Sequence, residues 1–371
     1  MPASSSSLST VPIEDVRVGA FRIPTDAPES DGTLQWDSTT LVVVELRAGG
    51  ERGLGYTYAD AGVADMIVSH LEPVLGNANA IDIPRLWHTM FARLRNLGQA
   101  GASSMAVSAV DVALWDLNAR LRDVPLVALL GRMRDALPLY GSGGFTSYSD
   151  AQLQRQFREW ADLGVTRFKM KVGREPAHDR NRVKVARAVI GDAAQLFVDA
   201  NSAYTRNQAL EFARIFVDEA DVRWFEQPLA PADLEGLHFL RGRVPPRLEI
   251  ADGEYAYSLD AFRRFLEAGA VDVMMADATR CGGITGFMKA AALCEAWMLP
   301  MSSHCAPALH LHPGCAAAPL RHAEYFHDHV RIERDLFDGA PDPRGGVLRP
   351  DLSRTGHGLE FKWSDAEQFS V

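Results

Sequence analysis

The sequence has little cysteine and lacks the paired spacings that bind zinc or form redox pairs. Its four cysteines lie in one late segment, at Cys281, Cys294, Cys305 and Cys315. A chain of 371 residues is long enough to bury a sizeable core without crosslinks, so reduced thiols are expected. This cysteine usage predicts a cytoplasmic protein.

Basic runs and long apolar runs are also missing. The 48 acidic residues outnumber the 38 basic ones, giving a formal net charge of −10, so neither nucleic acid nor an anionic membrane is expected as a partner. No apolar run reaches the roughly 18 residues of a membrane span. Met1–Pro12 lacks the basic start and apolar core of a signal peptide. No GxGxxG motif follows an early strand, so no dinucleotide site is expected.

The first third of the chain has the pattern of a small α+β module. Thr39–Leu46 is a β-branched run, and glycines near positions 50 and 54 supply turns between short strands. The polar segment Pro24–Thr33 predicts an exposed loop. Apolar residues from Val107 to Leu121 recur at three- and four-residue spacing, which predicts one face of a helix.

From about residue 136, short strand-like runs alternate with helical patterns. The runs are Arg167–Val172, Leu196–Val198, Val222–Phe225, Leu248–Ile250, Val271–Met275 and Met298–Ser302. Repeated βα units of this kind predict a parallel sheet covered by helices. Their number and length favour a closed barrel over an open sheet.

A polar residue comes at or just after the end of each of these strands. The residues are Lys171, Asp199, Glu226, Glu254, Asp277 and His304, at intervals of 23 to 28 residues. A single aspartate in such a place is ordinarily a helix N-cap. Six polar residues at near-constant spacing instead predict that their side chains surround one mouth of a barrel, where barrel enzymes carry their active sites.

Three of these residues, Asp199, Glu226 and Glu254, are predicted metal ligands. Carboxylates from three consecutive strands, without cysteine or histidine, suit an oxygen-preferring cation such as Mg²⁺. Asp252 is a competing third ligand. We favour Glu254, because Gly253 allows the backbone to turn the longer side chain inward.

Groups that can transfer protons flank the predicted metal. Lys169 and Lys171 share one face of their strand, since side chains alternate along a strand. His304 follows a strand on the other side, and Asp277 is placed to bond its far ring nitrogen and raise its basicity. Such a site suits removal of the proton α to a carboxylate, where a metal stabilises the enediolate.

These motifs together resemble the enolase superfamily and, within it, the mandelate racemase subgroup, over nearly the whole chain. The segments that carry the resemblance are Ala106–Gly131, Lys169–Lys171, Val198–Asn201, Phe225–Pro228, Gly253–Glu254, Asp277–Thr285 and Met301–His304. The first is similar to the family's capping-domain helix and the second to its KxK motif. The next three resemble its metal-ligand motifs, and the last two its catalytic aspartate and histidine segments.

The resemblance implies an α/β fold, a modified TIM barrel of the (β/α)7β type with an α+β cap. The corresponding divisions are an N-terminal capping domain at residues 1–135, the barrel at 136–330, and a C-terminal segment at 331–371 that returns to the cap. The resemblance also implies Mg²⁺ as cofactor, a small-molecule carboxylate as substrate, and a homo-oligomer, either a dimer or an octamer.

Residue roles follow from the same resemblance. Lys171 is the base on one face of the substrate, and Lys169 helps to hold the substrate carboxylate and to tune Lys171. His304, paired with Asp277, acts on the opposite face. Glu324 lies where the subgroup has a glutamate that hydrogen-bonds the substrate carboxylate.

The reaction predicted is dehydration of a sugar acid to a 2-keto-3-deoxy acid, a lyase activity that many subgroup members with these motifs have. The polar segment between residues 25 and 33 favours a polyhydroxylated substrate, although Trp36 offers an apolar surface nearby. The predicted substrate contacts are Asp31, Trp36, Tyr140, Ser142, Asn201 and Arg280.

Two alternatives remain open at this stage. The same site serves a racemase or epimerase of a 2-hydroxy acid, in which one face loses the α proton and the other regains one. A relative that binds sugar acids without catalysis is the alternative of another class. The presence of every proton-transfer group argues against that second alternative.

Overall fold

The cap begins with a three-stranded antiparallel sheet in a computed structural model that describes residues 10–371. Its strands, in spatial order, are β1 (Ile13–Ser30), β2 (Gln35–Ala48) and β3 (Glu51–Tyr58). Leu41 and Val43 pack into the core that the cap shares with the barrel, whereas Val42 and Val44 pack against the cap helices. The β-branched run is therefore continuous because both faces of β2 are buried.

The cap helices cover one face of this sheet. They are α1 (Gly62–Met66), α2 (Glu72–Leu75), α3 (Ile83–Arg93), α4 (Ala102–Arg120) and α5 (Leu126–Leu130), with a π-helical turn at Ile67–Leu71 and a 3-10 turn at Arg95–Leu97. Helix α4 is buried on nearly every side, which its apolar sequence permits. Gly53 and Gly55 let β3 approach α4 closely, since a Cβ on either would come within 2.2 Å of a helix carbonyl oxygen.

Eight parallel strands form the barrel, which closes by pairing of its last strand with its first. The strands are β4 (Leu137–Gly143), β5 (Arg167–Lys171), β6 (Gln195–Asp199), β7 (Val222–Glu226), β8 (Glu249–Asp252), β9 (Val273–Ala276), β10 (Met301–Ser303) and β11 (Leu320–Phe326). The covering helices are α6 (Asp150–Asp162), α7 (Pro176–Ile190), α8 (Arg206–Ala220), α9 (Leu234–Arg241), α10 (Leu259–Glu267), α11 (Gly283–Ala296) and α12 (Pro307–Ala316). The predicted barrel is confirmed.

Between residues 10 and 371, no helix has the length and apolar content that a bilayer crossing requires.

The C-terminal segment contacts both the barrel and the cap. It contains α13 (His327–Leu336), β12 (Phe337–Asp338), β13 (Val347–Leu348), β14 (Glu360–Phe361), α14 (Trp363–Ala366) and a 3-10 turn at Glu367–Phe369. Strand β13 pairs with β4 of the barrel, whereas Phe361 packs against Phe21 of the cap sheet. The division at residues 135 and 330 stays a prediction, because one apolar core is continuous across it.

The exposed loop predicted at residues 24–33 is wrong for most of its length. Strand β1 continues to Ser30, and Glu29, Ser30 and Asp31 are all buried. The hydroxyls of Ser30 and Thr146 lie 2.6 Å apart, and the Thr146 amide donates to the Ser30 carbonyl at 2.8 Å. Ser30 and Asp31 are therefore hydrogen-bonded against the loop that follows β4, whereas Asp26 and Thr33 of the same segment are exposed.

Candidate active site

Three buried carboxylates converge at the carboxyl ends of β6, β7 and β8. Asp199 and Glu226 are the last residues of their strands, and Glu254 follows β8 by two residues. One oxygen of each lies within 4.8 Å of an oxygen of the other two. An all-oxygen set with three formal negative charges matches the preference of Mg²⁺. The donor chemistry of these residues therefore fits the predicted cofactor.

The backbone at Gly253 decides which side chain after β8 joins this group. Gly253 has φ of +133°, and a Cβ there would lie 2.3 Å from the Met275 carbonyl oxygen. Asp252 is also buried, but its Oδ1 accepts from the Gly253 amide at 2.6 Å and its side chain lies outside the triad. Burial raises the pKa of Asp252 well above its usual range. The geometry favours Glu254 as the third ligand.

Two lysines on β5 supply positive charge to these carboxylates. Lys171 donates to Oδ2 of Asp199 at 2.6 Å, and Lys169 donates to Oε1 of Glu226 at 2.6 Å. Burial opposes a charged Lys171, but the Asp199 carboxylate raises its pKa above the ordinary value. Lys169 is completely buried, whereas Lys171 borders the pocket. The two residues therefore have different access to a substrate.

A histidine–aspartate pair lies across the barrel mouth from Lys171. Nδ1 of His304 lies 2.7 Å from Oδ2 of Asp277, whose Oδ1 accepts from the amide and the hydroxyl of Thr279, each at 2.7 Å. Around the closed ring, β10 is five strands from β5 in one direction and three in the other. The pair with Asp277 leaves Nε2 of His304 as the ring nitrogen available to a substrate.

Neighbouring side chains shift the pKa of His304. Burial alone would lower its pKa, but the neighbouring Cys305, Glu254 and Glu324 raise it above the ordinary value. Nε2 of His304 lies 3.2 Å from Oε2 of Glu254 and 3.3 Å from Sγ of Cys305. Burial raises the pKa of Cys305 to about 12, so this thiol stays neutral.

Glu324 is held by groups from three parts of the barrel. Its Oε1 accepts from the Ser142 hydroxyl at 2.6 Å and lies 2.7 Å from Nζ of Lys169. Its Oε2 accepts from the Cys305 amide at 2.7 Å. These contacts fix the carboxylate beside the lysine pair.

The structure brings most of the predicted residues to one pocket of about 420 Å³ between cap and barrel. Predicted residues that line it are Asp31, Trp36, Lys171, Asn201, Glu254, Asp277, Arg280 and His304. Lys169 lies beneath this lining and contacts the buried carboxylates of Asp199, Glu226 and Glu324. The cap and the barrel therefore form the pocket together.

Tyr140 and Ser142 were predicted to contact substrate, and the structure places them elsewhere. Tyr140 lies in the barrel interior among Phe197 and Trp224, with its ring centroid 5.3 Å from Nζ of Lys169. Ser142 is fully buried against Glu324. The two residues share the inward face of β4, because they are two positions apart, and that face lies below the pocket.

Sequence reasoning missed several residues of the site. Tyr58, Phe326 and His329 line the pocket, and no local motif marks any of them. Trp224 donates from Nε1 to Oε2 of Glu226 at 2.9 Å, and its place beside Glu226 could have been predicted from the sequence. It precedes Glu226 by two residues on the same strand and therefore shares its face.

Comparison with known families accounts for both parts of the chain. Residues 20–131 match the family described as "Mandelate racemase / muconate lactonizing enzyme, N-terminal domain". Residues 152–366 match the family described as "Enolase C-terminal domain-like". The predicted family is confirmed by both matches.

Characterised relatives act on sugar acids. The chain is 34% identical to 3,6-anhydro-alpha-L-galactonate cycloisomerase of Streptomyces coelicolor, over 97% of this chain and 99% of the relative. It is 29% identical to L-talarate/galactarate dehydratase of Salmonella typhimurium, over 95% of this chain and 89% of that enzyme.

Solved structures share the whole fold. A mandelate racemase/muconate lactonizing enzyme-like protein from Rubrobacter xylanophilus is 50% identical, with a TM-score of 0.95 over 97% of this chain and all of that one. A racemase from Streptomyces coelicolor with bound magnesium is 31% identical, with a TM-score of 0.91 over 97% of this chain and all of that one. The chain belongs to the mandelate racemase/muconate lactonizing enzyme family of the enolase superfamily.

Proposed function

We propose that this protein removes the proton α to the carboxylate of a sugar acid and eliminates the β-hydroxyl as water, giving a 2-keto-3-deoxy acid. The observation that carries this proposal is the placement of Lys171 and the His304–Asp277 pair on opposite sides of three convergent carboxylates. Two proton-transfer groups facing one pocket suit an α-proton abstraction followed by acid-assisted departure of a hydroxyl.

Asp199, Glu226 and Glu254 are the residues proposed to hold Mg²⁺. When bound, Mg²⁺ would stabilise the negative charge that forms on the substrate carboxylate as the α carbon loses its proton. The magnesium bound in the structural neighbour from Streptomyces coelicolor supports this cofactor.

Proton transfer and substrate positioning are assigned to side chains of the protein. Lys171 borders the pocket and is proposed to exchange a proton with one face of the α carbon. His304 is proposed to act on the opposite face through Nε2, with Asp277 holding the ring. Lys169 and Glu324 lie behind the pocket lining and are proposed to position the substrate carboxylate and Lys171.

In the elimination, the C–H bond at the α carbon breaks and its proton passes to one of the two groups. The electron pair forms the enol double bond as the β C–O bond breaks, and the departing hydroxyl takes a proton to leave as water. The enol then tautomerises to the keto acid.

The test is an assay of Mg²⁺-loaded protein against a panel of sugar acids, with detection of keto product and of α-proton exchange in heavy water. On the acid that reacts, Lys171→Ala and His304→Asn should each lower kcat by about 100-fold or more. Lys184→Ala, in an exposed ion pair with Glu219, is the matched control and should keep its activity. Full activity in both site variants would contradict the assignment.

Cycloisomerisation is a second candidate, favoured by the similarity to the Streptomyces coelicolor cycloisomerase along almost the whole of both chains. If the leaving oxygen belongs to a ring of the substrate, the same elimination opens the ring and yields an isomer without releasing water. Product analysis separates the reactions. A keto acid lighter by one water indicates dehydration, an isomeric keto acid indicates cycloisomerisation, and an inverted α centre indicates racemisation.

A further inference from the structure

We infer that the substrate carries a single carboxylate and an uncharged polyhydroxylated tail, as an aldonic acid does, and that matched dicarboxylic acids are rejected. This inference rests on the proposed function, in which the reacting carboxylate is held at the barrel end of the pocket. It concerns the remainder of the substrate, which must extend toward the cap.

The cations of the pocket are already paired with carboxylates. Within the described part of the chain, the pocket is lined by four side chains that carry or can take positive charge: Lys171, Arg280, His304 and His329. Lys171 pairs with Asp199 at 2.6 Å, and His304 pairs with Asp277 at 2.7 Å.

Arg280 is balanced in the same way. Its guanidinium lies 3.4 Å from Glu254 and 3.6 Å from Asp277, and it is stacked 5.1 Å from the ring centroid of Tyr255. Asp277 lies outside the proposed metal site, so a second substrate carboxylate would have to compete with it for the charge of Arg280 even when Glu254 binds Mg²⁺.

The cap side of the pocket carries only negative and neutral groups. It is lined by Asp31 and Asp60, together with Ser38, Thr39, Thr40 and Tyr58. The Ser38 and Thr39 hydroxyls donate to Asp37 and Asp328, respectively. No lysine or arginine of residues 10–371 lines this side, and Met1–Ser9 contains neither. Arg174 lies outside the lining, where it donates to the Leu34 carbonyl and to Oε1 of Gln35. A distal carboxylate would therefore meet like charges without a cation in the lining of the cap side.

The same groups suit hydroxyls. Oδ1 of Asp31 accepts from the amides of Thr33 and Leu34, each at 2.6 Å, which leaves Oδ2 as an acceptor. The Tyr58 hydroxyl is buried and has no hydrogen-bond partner in the described region, and burial keeps it protonated by raising its pKa. Carboxylate acceptors and neutral O–H donors are the complement of an alcohol group.

His329 completes this neutral side of the pocket. Its ring stacks on Tyr58, with the centroids 3.4 Å apart, and its Nδ1 accepts from the Ala306 amide. Burial lowers the pKa of His329 well below its ordinary value, so it does not supply the missing positive charge.

Pocket size does not explain the selection. A volume of about 420 Å³ lies within the range of small-molecule pockets, roughly 300–1,000 Å³, so a six-carbon acid with either one or two carboxylates fits. Discrimination must then come from charge.

The experiment compares pairs of acids that differ only at the distal carbon, such as D-gluconate with D-glucarate and D-galactonate with galactarate. Equilibrium binding to the Mg²⁺-loaded Lys171→Arg variant, which keeps the positive charge, is measured by calorimetry, and kcat/KM is measured on the unmodified protein. At least one aldonate should bind about tenfold or more tightly than its matched aldarate. An aldarate that binds as tightly as its partner, or more tightly, overturns the inference.

The outcomes separate this inference from the proposed function. If aldonates bind selectively but give neither keto product nor α-proton exchange with the unmodified protein, the proposed function fails and the charge selection stands. If aldonates and aldarates are both dehydrated with similar kcat/KM, the proposed function stands and the inference fails. If no acid of any pair binds at about 10 mM, both are overturned.

A charge variant tests the cause of the selection. Asp60→Lys places a cation on the cap side and should shift the aldarate-to-aldonate ratio of kcat/KM by about tenfold toward the aldarate. Asp65→Lys, at an exposed position of helix α1, changes the net charge equally but lies outside the pocket, and should leave the ratio unchanged. Equal ratios in the two variants would show that cap charge does not select the substrate.

Discussion

At the residue scale, Lys169 and Lys171 lie on the same face of β5 but differ in their partners and in their access to the pocket. Lys169 is enclosed by Glu226 and Glu324, whereas Lys171, two residues later, pairs with Asp199 and reaches the pocket. Two buried cations on one strand face are tolerated because each contacts a carboxylate. The same carboxylates form part of the proposed metal site.

The choice between Glu254 and Asp252 gives a prediction at this scale. Mg²⁺ should stabilise the unmodified protein against thermal unfolding, by about 2.7 kcal/mol at one hundred times its Kd. Glu254→Gln should lose most of this stabilisation, because it removes a charged oxygen from the triad. Asp252→Asn should keep it, since Asp252 lies outside the triad.

Thermal denaturation with and without Mg²⁺ checks this pair of variants. A Mg²⁺ effect lost in Asp252→Asn but kept in Glu254→Gln would reverse the assignment. Because the readout is stability, the result does not depend on knowing the substrate.

At the element scale, the hairpin of β1 and β2 borders the pocket and carries a buried glutamate, Glu29, next to its turn. Oε2 of Glu29 accepts from Nε1 of Trp36 at 2.8 Å, and its Oε1 has no hydrogen-bond partner in residues 10–371. Burial, reinforced by Asp328, raises the pKa of Glu29 to about 9. The folded hairpin therefore favours a protonated Glu29 at neutral pH.

This raised pKa predicts how stability changes with pH. Below the ordinary glutamate pKa, near 4.5, Glu29 is neutral in both folded and unfolded chains, and its contribution to stability is fully present. Between pH 4.5 and about 9 the unfolded chain is ionised while the folded chain holds the proton, so that contribution is lost as pH rises.

Glu29→Gln, which is neutral at every pH, should flatten this dependence. We expect a free energy of unfolding about 1–3 kcal/mol above that of the unmodified protein at pH 8, and nearly equal to it at pH 4.5. Denaturant titrations at a series of pH values measure the difference. The exposed Glu51→Gln is the control, and identical pH slopes in the protein and Glu29→Gln would contradict the prediction.

At the scale of the whole molecule, the cap and the barrel are joined through a shared core and the C-terminal segment. Trp363 lies with its ring centroid 5.9 Å from that of Phe21, and the Arg17 guanidinium lies 3.7 Å from the Trp363 ring centroid. The amide of the last residue, Val371, donates to the Ala20 carbonyl at 3.1 Å. The C-terminal segment, which follows the barrel in the chain, therefore packs against β1 of the cap sheet.

Trp363→Ala should therefore destabilise the whole protein, by about 2–4 kcal/mol, and cap and barrel should still unfold in one transition. Trp297→Ala, at a residue that is 45% exposed, is the matched control and should cost about 0.5 kcal/mol or less. Chemical denaturation followed by fluorescence and circular dichroism checks both values. Two separate transitions, with only one shifted by Trp363→Ala, would show that the cap folds independently.

Patterns within the sequence were enough to predict the barrel, the family and the ring of polar residues at the strand ends. Strand and helix periods are local, and a side chain at the carboxyl end of a parallel strand must lie at the barrel mouth. Asp199, Glu226 and His304 were therefore predictable from spacing alone.

The tertiary structure alone decided what surrounds that ring. Tyr58 and His329 stack although they come from the cap sheet and from a helix near the end of the chain, and no local pattern signals such a contact. Tyr140 lies below the pocket and Glu29 is buried because neighbouring elements cover them. The cap side of the pocket, and with it the charge that a substrate meets, depends on the packing of distant segments, which sequence periodicity does not specify.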